Sequence, residues 1–131
     1  MKRFLMMGLF LLLSGCAPAS LGEYRTEGED HIKKLMHELS QVESLSGLEA
    51  RQLKLKKRFT AIVDLIIAAK KFQAKHPEEN TEITVWQVEM SDALKRELIR
   101  VYAIEGCAEL MEEIERDALH KLDLNLRGVN L

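Results

Sequence analysis

The scarcity of proline is the feature that most constrains how this chain can fold. Its two prolines, Pro18 and Pro77, leave two long blocks of sequence that no proline interrupts. Both blocks are rich in Leu, Glu, Lys, Arg and Ala, which are strong helix formers. Proline disfavours a helical conformation for the residue before it, so His76 is expected to end a helix. The sequence therefore predicts helices on both sides of Pro77.

Apolar residues recur at helical spacing in both blocks. A first helix is predicted from about Glu27 to Leu45, because steps of three and four residues align its apolar side chains on one face. Those side chains are Ile32, Leu35, Met36, Leu39 and Val42, with Leu45 as a further candidate. A second helix is predicted over about residues 47–75. Its main apolar stripe consists of Leu48, Leu55, Phe59, Ile62, Ile66 and Ala69.

A third long helix is predicted from about Asp92 to Leu122. The segment before it, Ile83–Met90, contains β-branched residues around Trp86, which is either a core residue or an interface anchor. We favour a short helix or a lead-in to the third helix over a strand, because no pairing partner is apparent. Residues 123–131 are expected to fray or to pack as an extended strap.

Serine and threonine mark where the first two helices are expected to begin. Thr26 and Glu29 have the spacing of a capping box, and so do Ser46 and Glu49. The helices are therefore predicted to begin just after Thr26 and Ser46.

The middle of the second helix is apolar almost all round between Phe59 and Ala69. Such a segment is normally buried on several sides, so Ile66 on the main stripe is predicted to be core. Either two other helices cover the segment, or part of it stays open as a groove for a partner. The candidate groove residues lie off the main stripe and are Leu53, Val63 and Ile67.

The first residues have the layout of a secretory signal. Lys2 and Arg3 supply positive charge, and Phe4–Leu13 is apolar apart from Gly8. This run of ten residues is shorter than the about 20 residues that a membrane-spanning helix needs. We therefore expect it to be cleaved rather than to remain as an anchor.

The run ends in Leu13-Ser14-Gly15-Cys16, which resembles the lipobox of bacterial lipoproteins. The resemblance implies diacylglycerol on the Cys16 thiol, cleavage before Cys16, and a further acyl chain such as palmitate on the new amino group. It divides the chain into a signal peptide over residues 1–15, a lipidated tether over 16–22, and a helical domain over 23–131.

The same resemblance implies an address in the bacterial cell envelope. In well-studied Gram-negative lipoproteins, Asp after the lipidated Cys retains the protein at the inner membrane. Ala17 occupies that position here, which favours the outer membrane. Each buried methylene contributes about 0.8 kcal/mol, so two or three acyl chains would hold the protein on its membrane.

The net charge gives no general attraction to nucleic acid or to anionic lipid. The net charge is −2, and it falls to −4 once Lys2 and Arg3 are removed with the signal. One basic cluster stands out on the second helix: Arg51, Lys54, Lys56, Lys57 and Arg58. It could contact phosphate or an acidic lipid surface. The simpler interpretation pairs it, on antiparallel helices, with an acidic cluster formed by Glu105, Glu109, Glu112, Glu113, Glu115 and Asp117.

No catalytic or metal-binding set is apparent. Cys107 is the one cysteine besides Cys16, and it is expected to fill a helix interface, with an intermolecular disulfide as the alternative. His31 and His37 miss the spacing that places two metal ligands on one helix face. His120 and Asp123 have a spacing that is common by chance. No cofactor is expected apart from the covalent lipid.

These features predict an all-α fold: a small up-down-up bundle with two long helices behind a cleaved signal peptide. The expected function is that of a non-catalytic envelope lipoprotein that binds another protein or has a structural role, facing the periplasm. Pilotins, small helical lipoproteins that escort secretin subunits, are similar in size, anchor and helicity. A small envelope enzyme is a weaker alternative, and so is a membrane-perturbing protein, which only the basic second helix supports.

Overall fold

A computed structural model describes residues 20–79 and 85–128, with side chains from residue 88 onward in the second range. Four helices account for nearly all of these residues. They are α1 (Leu21–Ser40), α2 (Leu45–Lys75), α3 (Val85–Tyr102) and α4 (Cys107–Leu126). Within the two described ranges there is no strand, so the predicted all-α bundle is confirmed.

The first two helices begin earlier than the capping boxes suggested. The Ser20 hydroxyl accepts a hydrogen bond from the Glu23 N–H at 3.2 Å, whereas Thr26 lies inside α1. The Ser44 hydroxyl likewise accepts from the Gly47 N–H at 3.2 Å and begins α2. Both serines have the extended backbone of an N-cap residue, and each hydroxyl accepts from an N–H that lacks a partner within the helix.

The prediction of one unbroken helix from Asp92 to Leu122 was wrong. The chain turns between Ala103 and Gly106, and Gly106 has a φ of 81°. This left-handed conformation favours glycine, because a Cβ would collide with the backbone there. Within the described residues the bundle therefore has four helices instead of the three of an up-down-up arrangement.

Two further segments are helical. Residues 85–90 form the first turns of α3, which confirms the lead-in interpretation of that part of Ile83–Met90. The tail prediction was wrong for residues 123–126, because α4 continues to Leu126. Leu122 and Leu124 remain partly buried there, so the last turn of α4 still contributes apolar packing.

The helices form two hairpins, α1–α2 and α3–α4, which pack side by side. Helix α1 lies against α3, and α2 lies against α4. Leu45 contacts Gly106 at the start of α2 and α4, while Asp64 pairs with Lys121 further along both helices. Helices α2 and α4 therefore run in the same direction.

The main core lies at the end of the bundle where both hairpins turn. Its most deeply buried side chains are Leu35, Leu39, Val42, Leu48, Leu55, Val101, Cys107, Met111 and Ile114. Complete burial of a large aliphatic side chain contributes about 1.5–3 kcal/mol, so this cluster supplies most of the stabilisation. A smaller cluster of Val63, Ile67 and Ala118 continues the contact between α2 and α4.

Arg100 joins the two hairpins at this end. Its guanidinium donates hydrogen bonds to the carbonyl oxygens of Leu39 at 2.7 Å and Val42 at 2.8 Å. Carbonyls at a helix C-terminus lack partners within the helix, and the partial negative charge there favours a cation. The Arg100 Nε also donates to Glu97 at 2.9 Å, which orients the guanidinium. Helix α3 therefore caps the C-terminus of α1.

The break at Gly106 leads to a first prediction. We expect Gly106→Ala to destabilise the protein by about 1–2 kcal/mol for the left-handed backbone, with an additional loss from the Leu45 contact. A Cβ at Gly106 would lie 3.0 Å from the Leu45 Cδ2. Gly128→Ala is the matched control, because Gly128 has a φ of 79° and no atom within 4 Å of such a Cβ. Urea unfolding measures both, and equal losses would contradict a role for the Leu45 contact.

Candidate functional site

The three residues predicted to form a partner groove do not lie on one surface. Val63 and Ile67 are 5% and 9% exposed and pack against Ala118 of α4. Leu53 is 74% exposed on the outside of α2. The predicted groove is therefore wrong as a unit, because α4 covers the face of α2 that carries Val63 and Ile67.

The prediction that Ile66 is core was also wrong. Ile66 is 40% exposed, although the other end of its stripe, Leu48 and Leu55, is fully buried. Ile66 lies instead at the edge of a groove between α1 and α2, which we call the tether-end groove. Its lining residues are Leu21, Tyr24, Arg25, Gly28, Leu65, Ile66, Ala69 and Gln73, and its volume is about 250 Å³.

A small residue and two aromatic contacts shape the tether-end groove. Gly28 lies against α2, where a Cβ would be in ordinary van der Waals contact with the Leu65 Cδ2 at 3.4 Å. The ring of Tyr24 contacts that of Phe72 with centroids 5.3 Å apart, and Phe72 stacks on His76 at 4.3 Å. Most of the lining is apolar, so the groove is suited to binding an apolar side chain.

The basic cluster of α2 does not face the acidic cluster of α4. Arg51 pairs with Glu38 of α1 at 2.8 Å. Among the described residues no ion pair joins the two clusters, and the α2–α4 pair has the opposite polarity, Asp64 with Lys121. The predicted pairing of the basic cluster with the acidic cluster on antiparallel helices was therefore wrong. Helices α2 and α4 are parallel, and they meet through faces that do not carry these two clusters. A depression between α1 and α2 is bordered by Glu38, Lys54, Lys57, Arg58 and Ala61.

Glu115 and Tyr102 form a partly buried pair between α3 and α4. The Tyr102 hydroxyl donates to the Glu115 Oε2 at 3.1 Å, and the Glu115 Oε1 is buried without a hydrogen-bond partner. Burial raises the pKa of Glu115 above its ordinary value, the Tyr102 hydrogen bond opposes that shift, and the Glu112 charge adds to it. Burial and the Glu115 charge raise the pKa of Tyr102 to about 12.

Cys107 lies in the main core as the first residue of α4. Burial raises the pKa of its thiol, and the charge of Glu49 raises it further. A thiol that resists ionisation is a poor nucleophile, and a buried one cannot reach another molecule without local unfolding. These observations agree with the packing role and disfavour the intermolecular disulfide.

The described residues contain no group of three or more His, Cys, Asp or Glu side chains that could hold a metal ion. His31 is partly buried beside α2, and its Nδ1 has no hydrogen-bond partner. No helix in the described ranges is both long enough and apolar enough to cross a membrane. Cys16 and the Trp86 side chain lie outside the described residues.

Similarity to known proteins does not assign this arrangement. Comparison with protein-family models, with curated protein sequences and with solved structures finds no match.

Sequence reasoning missed Tyr24 and Gly28 as lining residues and assigned Ile66 to the core. One signal was available, because a glycine lowers helix propensity and Gly28 stands inside an otherwise strongly helical segment. The accessible side of α2 carried no such signal, since its apolar residues surround the helix.

The Glu115 pair leads to a second prediction, about pH. Ionisation is harder for Glu115 in the folded protein than in the unfolded chain, so stability falls as pH rises through its folded pKa. Glu115→Gln keeps an acceptor for Tyr102 and cannot ionise. We expect this variant to be more stable than the native chain at about pH 7, with the difference vanishing at about pH 3, below the ordinary pKa of Glu.

Glu113→Gln is the control, because Glu113 is exposed on the same helix. Chemical unfolding at both pH values measures the effect. A pH-independent difference for Glu115→Gln, or the same gain in Glu113→Gln, would contradict the assignment.

Proposed function

We propose that this chain is a lipid-anchored protein of the bacterial cell envelope whose helical domain binds another protein without catalysis. The observation that carries the proposal is the spacing between anchor and groove. Cys16 is the last residue of the lipobox-like Leu13-Ser14-Gly15-Cys16. Leu21 follows it by five residues and lines the tether-end groove. An anchor and a binding surface would then be adjacent in one small molecule.

The short tether supports a holding role. Five residues span at most about 18 Å, so a domain anchored at Cys16 stays close to its bilayer. Two or three acyl chains give an attachment far stronger than the marginal binding of one chain. Ala17 after the lipobox favours the outer membrane as the location.

The groove supports a protein partner. The groove has an apolar lining that includes exposed Ile66 and partly buried Leu65 and Ala69. Two polar residues, Arg25 and Gln73, also line it. An apolar core with polar surroundings is typical of a surface that receives an amphipathic helix. Pilotin-like escort of an outer-membrane secretion component would be one role of this kind.

Lipidation at Cys16 is the third prediction. Protein extracted from the membranes of an expressing bacterium should have the mass of a chain beginning at Cys16 plus its acyl groups. Intact-mass spectrometry measures this, with Cys16→Ser as the control that should lose both processing and lipid. A soluble native product that begins at another residue would contradict the anchor.

Contact of a partner with the tether-end groove is the fourth prediction. A photo-crosslinking residue at Ile66 should give a discrete adduct in cells, whereas the same residue at Ile99 should not. Ile99 is 61% exposed on α3 and lies away from the groove, so it reports random collisions. The adduct is resolved by gel mobility and mass spectrometry.

A variant distinguishes binding from folding. Because Ile66 is partly exposed, Ile66→Asp should cost no more than about 1 kcal/mol in stability, while Val63→Asp should cost about 3 kcal/mol or more. Ile66→Asp should abolish crosslinking from a second groove position, Gln73. Equal adducts from positions 66 and 99, or crosslinking that survives Ile66→Asp, would contradict the groove.

A further inference from the structure

We propose that the outer stripe of α2 binds the head groups of anionic phospholipids. The outer stripe is a row of exposed residues at helical spacing, formed by Leu53, Lys57, Thr60, Asp64, Lys71 and Lys75. Lys54 is exposed beside it. The proposal adds a second membrane contact to the lipid anchor, and its chemistry does not depend on lipidation.

The charge of α2 is opposite in sign to that of the whole chain. The helix carries eight Lys and Arg residues and two acidic residues, although the net charge of the protein is −2. Helix α4 carries two Lys and Arg residues and six acidic residues. The molecule is therefore electrically polarised, and an anionic bilayer would attract it through α2.

The lysines of the stripe are available for an external anion. Lys54, Lys57, Lys71 and Lys75 form no ion pair with any residue in the described ranges. The acidic member of the stripe, Asp64, is paired with Lys121. An anionic membrane surface attracts Lys and Arg residues that lie near it, and several of them together give substantial attraction.

Leu53 favours a bilayer over an acidic protein surface. Its side chain is 74% exposed, lies next to Lys54 in the sequence and is one helical turn from Lys57. Interfacial helices combine basic residues with an apolar side chain that enters the boundary between head groups and acyl chains. An apolar side chain beside two exposed lysines fits this combination.

The stripe and the tether are placed to meet the same surface. The contact between Tyr24 and Phe72 puts the start of α1 beside the end of α2, where Lys71 and Lys75 lie. From Lys75 the stripe extends to Leu53, a distance of about 33 Å at 1.5 Å per residue. An anchor at one end would keep the stripe at high effective concentration next to the bilayer.

This orientation leaves the tether-end groove accessible. Ile66 and Lys57 are nine residues apart, which is about 900° of helical rotation and places them on opposite sides of α2. With the outer stripe against lipid, the groove would face away from the membrane toward a partner.

The test is lysine footprinting of the membrane-extracted native protein. The protein is reconstituted into phosphatidylcholine vesicles, or into vesicles with about one-third phosphatidylglycerol, and then acetylated and mapped by mass spectrometry. We expect acetylation of Lys54 and Lys57 to be about fivefold slower on the anionic vesicles, and to recover at about 1 M salt, where screening is strong. Lys95 on α3 should react equally on both.

A matched pair of charge reversals locates the effect. Lys54→Glu combined with Lys57→Glu should abolish the slower acetylation of Lys71 on anionic vesicles. Lys95→Glu combined with Arg96→Glu changes net charge equally on α3 and should leave that protection intact. Equal loss in both double variants would overturn a contact specific to the stripe.

Vesicle flotation separates this proposal from the anchor. Protein that floats with both vesicle types while Lys54 and Lys57 stay equally reactive overturns the lipid contact and leaves the anchor standing. Protein that floats with anionic vesicles alone supports the stripe and argues against the anchor. Protection of these lysines in cells, but on neither vesicle type, would overturn the lipid contact in favour of an acidic protein partner.

Discussion

The packing of one hairpin turn against the other is the constraint on which the rest of this structure depends. Gly106 ends the α3–α4 turn with a backbone that an L side chain adopts poorly, and Leu45 lies directly against it. Arg100 reaches the carbonyl oxygens of Leu39 and Val42 at the other turn. The helix break at Gly106 and the hydrogen bonds of Arg100 thus hold the two turns next to each other, and this aligns the hairpins along the bundle.

This register determines which faces of α2 are buried. Because α2 and α4 start together and run in parallel, Val63 and Ile67 face Ala118 and become core. Helix α1 covers the neighbouring face only in part, so Ile66 remains at the edge of an apolar groove. The basic residues of α2 are then left on the outside, where Asp64 is paired with Lys121.

The arrangement separates two proposed contacts. The outer stripe carries exposed lysines and Leu53 on one side of α2, while the tether-end groove opens on the other. The groove and the Lys75 end of the stripe lie close to the start of α1, to which the proposed anchor is joined. A protein built in this way would lie on its membrane along α2 and present the groove to a partner.

The sequence by itself determined the helical class, the end of α2 before Pro77, and the burial of side chains such as Leu39 and Leu55. It also carries the lipobox-like signal, because local chemistry alone defines that pattern. Tertiary structure decided which apolar residues of α2 are core. Between Phe59 and Ala69 that helix is apolar on nearly every side, so periodicity could not distinguish Ile66 from Val63 and Ile67. The neighbouring helices made that choice, since burial depends on which face another helix covers.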